Sequence, residues 1–99
     1  MINITKTVNG EDFIVNISGR LDTSTAPKFE GFILENISKM QTLLLDCAGL
    51  EYISSAGLRV VLNAQKKMSK IGSMKIKNVC ELVMEVFEMT GFASILDIE

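Results

Sequence analysis

Two adjacent serines, Ser54 and Ser55, are the residues whose type and position carry the clearest chemical meaning in this 99-residue chain. They follow an apolar run, Leu43-Leu44-Leu45-Asp46-Cys47, and a short stretch, Ala48-Gly49-Leu50-Glu51-Tyr52-Ile53, and they precede Ala56-Gly57-Leu58-Arg59. This order reads as a buried strand, a short loop, and the mouth of an amphipathic helix. A hydroxyl there faces solvent beside the free N–H groups of a helix start, where the macrodipole welcomes a phosphate. Ser55 is therefore a candidate modification site. A serine before an amphipathic helix is also an ordinary N-cap, contributing ~0.5–2 kcal/mol, so one hydroxyl can serve either role or both.

Nucleophilic catalysis lacks its parts. The chain contains no histidine to act as base, no Gly-x-Ser-x-Gly turn and no Gly-x-x-x-x-Gly-Lys loop. An enzyme is not expected, and neither is a cofactor. Cys47 and Cys80 are the only cysteines. Each ends or follows an apolar run, where free cysteine commonly serves as a small buried hydrophobe. A four-ligand zinc site lacks ligands.

The net charge of −2, with Phe and Tyr falling mostly in apolar patterns, argues against nucleic-acid binding. The charge is uneven, however. Between Tyr52 and Cys80 every charged residue is basic: Arg59, Lys66, Lys67, Lys70, Lys75 and Lys77. From Glu81 onward every one is acidic: Glu81, Glu85, Glu88, Asp97 and Glu99. Such a division suits a solvated surface or a charge-complementary protein partner. No apolar run approaches the ~20 residues that cross a bilayer. The first residues resemble no signal peptide, so the expectation is a cytoplasmic protein without a membrane partner.

The elements that must position Ser55 follow from periodicity. Ile2 to Val8 and Phe13 to Ser18 alternate as two strands around an Asn9-Gly10 turn. Gly19-Arg20-Leu21-Asp22 leaves the second strand, and Ser24 or Thr25 is placed to cap a helix with Pro27 in its first turn. Phe29, Phe32, Ile33 and Ile37 share one helical face. Thr42 to Cys47 reads as a central strand covered on both sides. A second helix over about Ser55 to Lys70 carries Leu58, Val61, Leu62 and Met68 as its stripe, and Gly72 ends it. Met74 to Val79 alternates as a further strand. Glu81 to Thr90 forms a third helix with Leu82, Val83, Val86 and Phe87 on one face and Gly91 as its stop. Met68, Met74, Met84 and Met89 read as core filling. Ile95 to Ile98 is either a final edge strand or part of a terminal helix. The order β-β-α-β-α-β-α-(β) predicts one α/β domain over 1–99, a small mixed sheet of four or five strands with helices packed on it.

Asp46-Cys47-Ala48-Gly49-Leu50-Glu51-Tyr52-Ile53-Ser54-Ser55-Ala56-Gly57-Leu58 resembles the STAS family, named for sulphate transporters and anti-sigma factor antagonists. Its pattern there ends in an apolar pair and Asp-Ser-Ser-Gly-Leu. Gly19-Arg20-Leu21-Asp22 is similar to the family's Gly-x-Leu-Asp before the first helix. The resemblance spans essentially the whole chain, and its length matches a bare antagonist domain.

It implies a partner switch. The unmodified antagonist would bind an anti-sigma factor, usually a serine kinase with an ATP-binding fold. That kinase would phosphorylate Ser55, the modified antagonist would let go, and a serine phosphatase would reset it. Asp22, Arg20, Ser54, Ala56, Gly57 and Arg59 are the candidate partner contacts: the resemblance implies that the Asp22 loop shares the interface, Gly57 would admit a partner's backbone or a nucleotide, and Arg20 and Arg59 read equally as a solvated strand end and a surface helical arginine. Two positions depart from the pattern: Ser54 stands where Asp is usual, and Ala56 where Ser is frequent. The first puts a second hydroxyl beside the acceptor and makes Ser54 the alternative site. A static STAS scaffold in a signalling or lipid-transport assembly is the competing reading.

Overall fold

The computed structural model describes residues 1–99. Strands β1 (Ile2–Asn9) and β2 (Asp12–Leu21) form an antiparallel hairpin. Helix α1 (Ala26–Asn36) leads to β3 (Thr42–Ile53), helix α2 (Ser55–Ile71) to β4 (Ser73–Lys77), and α3 (Glu81–Met89) follows. The sheet order is β1-β2-β3-β4, with β3 parallel to β2 and β4 parallel to β3. The predicted order of elements is the observed one.

Both parallel crossovers step in the same direction across the sheet. Right-handed connections then set α1 and α2 on the same face. Burial follows this rule. Phe13, Val15 and Ile17 of β2, Leu43, Leu45 and Cys47 of β3, and Met74 and Ile76 of β4 are buried beneath the helices. Their alternates, among them Ile14, Asn16, Leu44, Asp46 and Lys75, face the other way and remain exposed or half-buried. The expectation that the leucine run is covered on both sides is thus corrected. Leu44 lies on an open face, because no crossover turns back to cover it.

The helices complete the core with Ala26, Phe29 and Ile33 from α1, Leu58, Val61, Ala64 and Met68 from α2, and Val83 and Phe87 from α3. Phe32 and Ile37 pack against that core while half-exposed. Leu82 departs from the predicted face of α3 and is 51% exposed. It lies about 100° around the helix from Val83, outside the narrow arc that a nine-residue helix turns inward. The methionines divide similarly: Met68 and Met74 fill the core, Met84 is half-buried, and Met89 in the last turn of α3 is 85% exposed.

Element ends differ in three places. β4 stops at Lys77, because Asn78 takes a left-handed conformation (φ 59°) that breaks the pleat. The last residues form a short 3-10 turn (Phe92–Ser94) and then a single parallel bridge from Ile98 to Ile76. Ile76 N–H donates to the Asp97 carbonyl and Glu99 N–H to the Ile76 carbonyl, so the tail closes the outer edge of β4. Most consequential, the loop expected after Cys47 does not exist: β3 runs on to Ile53, leaving only Ser54 before α2.

The opposed burial of neighbouring leucines gives a direct check. Leu45→Ala should lower the unfolding free energy by about 2–5 kcal/mol in urea titration, and Leu44→Ala by less than half that amount.

Candidate functional site

The site lies where β2 and β3 end and α2 begins. β3 reaches it by carrying extra residues relative to β2. The pairing runs Asn16↔Asp46, then Ser18↔Gly49, then Gly19↔Leu50, then Arg20↔Tyr52, with a register shift between Asn16 and Ser18 and another between Gly19 and Arg20. Such bulges bend a strand and re-aim its side chains. The last core residues of the two strands, Leu21 and Ile53, still lie side by side. Ser54 N–H then donates to the Leu21 carbonyl at 2.8 Å, which fixes the first turn of α2 against β2.

Ser54 has extended backbone angles (φ −97°, ψ 175°), and its hydroxyl accepts from Gly57 N–H at 3.3 Å. It is the N-cap. Ser55 therefore occupies the first helical position, exposed, and takes no part in that cap. The two roles open for one hydroxyl in the sequence belong to two different residues: Ser54 caps and Ser55 faces solvent. Helix geometry leaves the N–H groups of Ser55 and Ala56 unpaired within α2, at the positive end of the macrodipole.

Gly57 corrects its expected role. It is buried, and a Cβ there would stand 2.6 Å from Leu21 Cγ and 2.7 Å from the Leu21 carbonyl oxygen. Its lack of a side chain serves close approach of β2 to α2 inside the fold, not approach of a partner from outside. Ala56 is half-buried and Arg59 exposed. Both line a shallow groove between the starts of α2 and α1, together with Thr23, Ala26, Pro27 and Glu30.

Asp22 stands where β2 turns into α1. Neither Ser24 nor Thr25 caps α1 with its side chain, as the sequence had suggested. The Asp22 carboxylate organises the turn instead. Its Oδ1 accepts from Ser24 N–H at 3.0 Å, Ser24 Oγ at 2.7 Å and Thr25 N–H at 3.1 Å. Thr25 Oγ1 in turn accepts from Asp22 N–H at 2.8 Å and donates to the Arg20 carbonyl at 2.7 Å. These bonds hold Asp22 below its ordinary value of 3.8, the Ser24 hydroxyl contributing most, against a smaller opposing effect of desolvation. Arg20 lies on the face of β2 opposite Leu21. Its guanidinium carbon is 4.2 Å from the centre of the Tyr52 ring, and its Nε is 3.9 Å from Asp22 Oδ2. Tyr52 is the member of this group that sequence reasoning missed. Only the register shift that seats it opposite Arg20 gives it a role.

Cys47 and Cys80 stand apart from this surface. Cys47 is buried, and desolvation, reinforced by Asp46 and Cys80, pushes its thiol up to about 12. That is an inert hydrophobe, not a nucleophile. Cys80 Sγ donates to the Leu50 carbonyl at 3.4 Å. No group of three or more histidine, cysteine or carboxylate side chains is placed to hold a metal ion, and no helix is long and apolar enough to cross a membrane.

The separation of cap from exposed hydroxyl predicts unequal costs. Ser54→Ala should destabilise the fold by about 0.5–2 kcal/mol, and Ser55→Ala should stay within ~0.5 kcal/mol of the parent in urea titration. The lowered Asp22 pKa has a definite sign. Its stabilising effect is complete above the unfolded value near 3.8 and is lost as pH falls through the lower folded value. A carboxyl-detected NMR titration should find the Asp22 midpoint below 3.8, and Ser24→Ala should move it upward.

Comparison with known proteins agrees with this geometry. The family model described as "STAS domain" matches residues 3–99. The anti-sigma-B factor antagonist of Bacillus subtilis is 31% identical over 98 residues, covering 98% of this chain and 90% of that protein. The putative anti-sigma factor antagonist BtrV of Bordetella bronchiseptica is 36% identical over 89 residues, covering 86% of this chain and 75% of that one. Among solved structures, the anti-sigma factor antagonist SpoIIAA in its unphosphorylated form superposes with a TM-score of 0.82 at 19% identity, covering all of this chain and 88% of that one. The phosphorylated form of SpoIIAA, described as a Bacillus cell fate determinant, superposes with a TM-score of 0.76 at 18% identity, covering 100% and 91%. With the family pattern matched along nearly its full length and the four-stranded fold shared, the chain belongs to the STAS domain family.

Proposed function

We propose that this chain is an anti-sigma factor antagonist that works by partner switching, with Ser55 as the phosphoacceptor. Unmodified, it docks through the start of α2 and the neighbouring β2–α1 turn on an anti-sigma factor that is itself a serine kinase with an ATP-binding fold. Phosphorylation releases it, and a serine phosphatase restores it. The chain performs no catalysis in this scheme and acts in the cytoplasm. The observation that carries the reading is the division of labour between the serines: Ser54 is committed to the cap, while Ser55 is exposed at the first helical position. The two curated relatives described as antagonists, and a fold-mate solved in unphosphorylated and phosphorylated forms, support it.

The physical chemistry suits a switch that leaves the domain folded. A phosphate adds about −1.5 to −2 charge and three acceptor oxygens. Beside the unpaired N–H groups of Ser55 and Ala56 that charge is stabilising by about 0.3–1 kcal/mol. In a docked interface the same dianion must shed its water and make room for itself. A penalty of ~3–4 kcal/mol there weakens binding by a few hundredfold or more. Because Ser55 is not the cap, its modification does not remove the hydrogen bond that starts α2.

The test uses the purified anti-sigma factor kinase encoded in the same genome. With ATP it should add one phosphate to the chain, read by intact mass. Ser55→Ala should abolish the addition while Ser54→Ala still accepts it, and Ser55→Asp should bind the kinase at least tenfold more weakly. An unchanged mass, with Ser55→Asp binding as the parent does, would favour the static scaffold.

A further inference from the structure

We propose that Arg20, held over the Tyr52 ring, is a carboxylate-docking residue: it seats an acidic side chain of the protein that docks beside Ser55. This rests on the docking reading above and deepens it, by naming a contact chemistry and by extending the contact surface from the start of α2 onto the open face of the sheet.

The placement of Arg20 follows from the second register shift between β2 and β3. Gly19 pairs with Leu50, and the next residue of β2, Arg20, pairs with Tyr52. Glu51 is passed over. Without the shift Arg20 would stand opposite Glu51, whose carboxylate would neutralise it. The bulge replaces that acid with an aromatic ring 4.2 Å from the guanidinium carbon. The ring contact restrains the guanidinium without consuming its N–H donors, whose fork matches a carboxylate in paired geometry.

The nearby acid forms an ion pair with Arg20 but takes none of its donors. Arg20 Nε to Asp22 Oδ2 is 3.9 Å, too long for a hydrogen bond. Asp22 Oδ1 is occupied by the N–H and hydroxyl groups of Ser24 and Thr25. The Arg20 side chain is 54% exposed. The result is an oriented cation with open donors at the rim of the site. An acidic side chain is the complementary group, and one seated there would lie near Ser55, since Arg20 and Ser55 flank the hydrogen bond from Ser54 to Leu21. The same partner carboxylate is then drawn in by Arg20 when Ser55 is bare and repelled when Ser55 carries a dianion. One contact would thus add to both binding and release.

The experiment measures the affinity of the unphosphorylated chain for the same purified kinase at several salt concentrations, with urea titration as a check that each variant is folded. Arg20→Gln should weaken binding about tenfold and flatten its salt dependence. Tyr52→Phe, which keeps the ring, should bind as the parent does, whereas Tyr52→Leu should weaken binding roughly threefold or more by releasing the guanidinium. Arg20→Gln binding within twofold of the parent, or Tyr52→Leu indistinguishable from it, would overturn the proposal. Either result leaves the docking reading standing provided Ser55→Asp still weakens binding. If the parent and Ser55→Asp bind alike, the docking reading itself has failed.

Discussion

The hydrogen bond from Ser54 N–H to the Leu21 carbonyl, with Gly57 of the same turn pressed against Leu21, is the constraint on which the rest of the site depends. It ties the end of β2 to the start of α2, where β3 passes into the helix with no intervening loop. Once Ser54 is held there with extended backbone angles, its hydroxyl lies under the first turn and accepts from Gly57 N–H. The next residue has no inward direction left to it. Ser55 is consequently solvent-facing because of backbone geometry, not because its own side chain prefers water.

This arrangement separates what must stay fixed from what can change. The cap, the buried glycine and the Asp22 turn are internal: their hydrogen bonds and contacts close within the chain. Ser55, Arg59 and Arg20 are external, exposed around that rigid junction. A charge added at Ser55 meets unpaired N–H groups and leaves the cap untouched. A switch built this way needs no refolding, because the modification alters the surface a partner meets and not the packing beneath it. The register shifts of β3 add to the exposed rim of this junction by turning Tyr52 toward Arg20.

Much of the fold was legible because it rests on local periodicity. Alternation in β1 and β2, the stripes of α1 and α2, and Gly91 after α3 each report a nearest-neighbour preference that packing then respects. The mistakes fall where a residue's environment is decided from far along the chain. Leu44 and Leu45 are chemically identical, and only crossover direction determines which of them meets the helices. Ser24 and Thr25 look like caps, but their hydroxyls are drawn back to Asp22 and the Arg20 carbonyl, Pro27 has no N–H to offer, and the Ala26 and Lys28 N–H groups go to backbone carbonyls. Gly57 reads equally well as an opening for a partner or a place for a neighbouring strand, until Leu21 is seen to fill it.

By itself, the sequence determined the order of the elements, a hydroxyl pair at the mouth of the second helix, the lack of histidine and the resemblance that identifies the family. These depend on residue type and short spacing, which a linear chain carries in full. The tertiary structure alone decided which serine caps and which is exposed, that Gly57 is sealed, and that Tyr52 rather than Glu51 meets Arg20. Each of those outcomes turns on the relative register of strands whose paired residues lie some thirty positions apart. A shift of one residue in that pairing exchanges the faces of every side chain that follows, and no local preference encodes it.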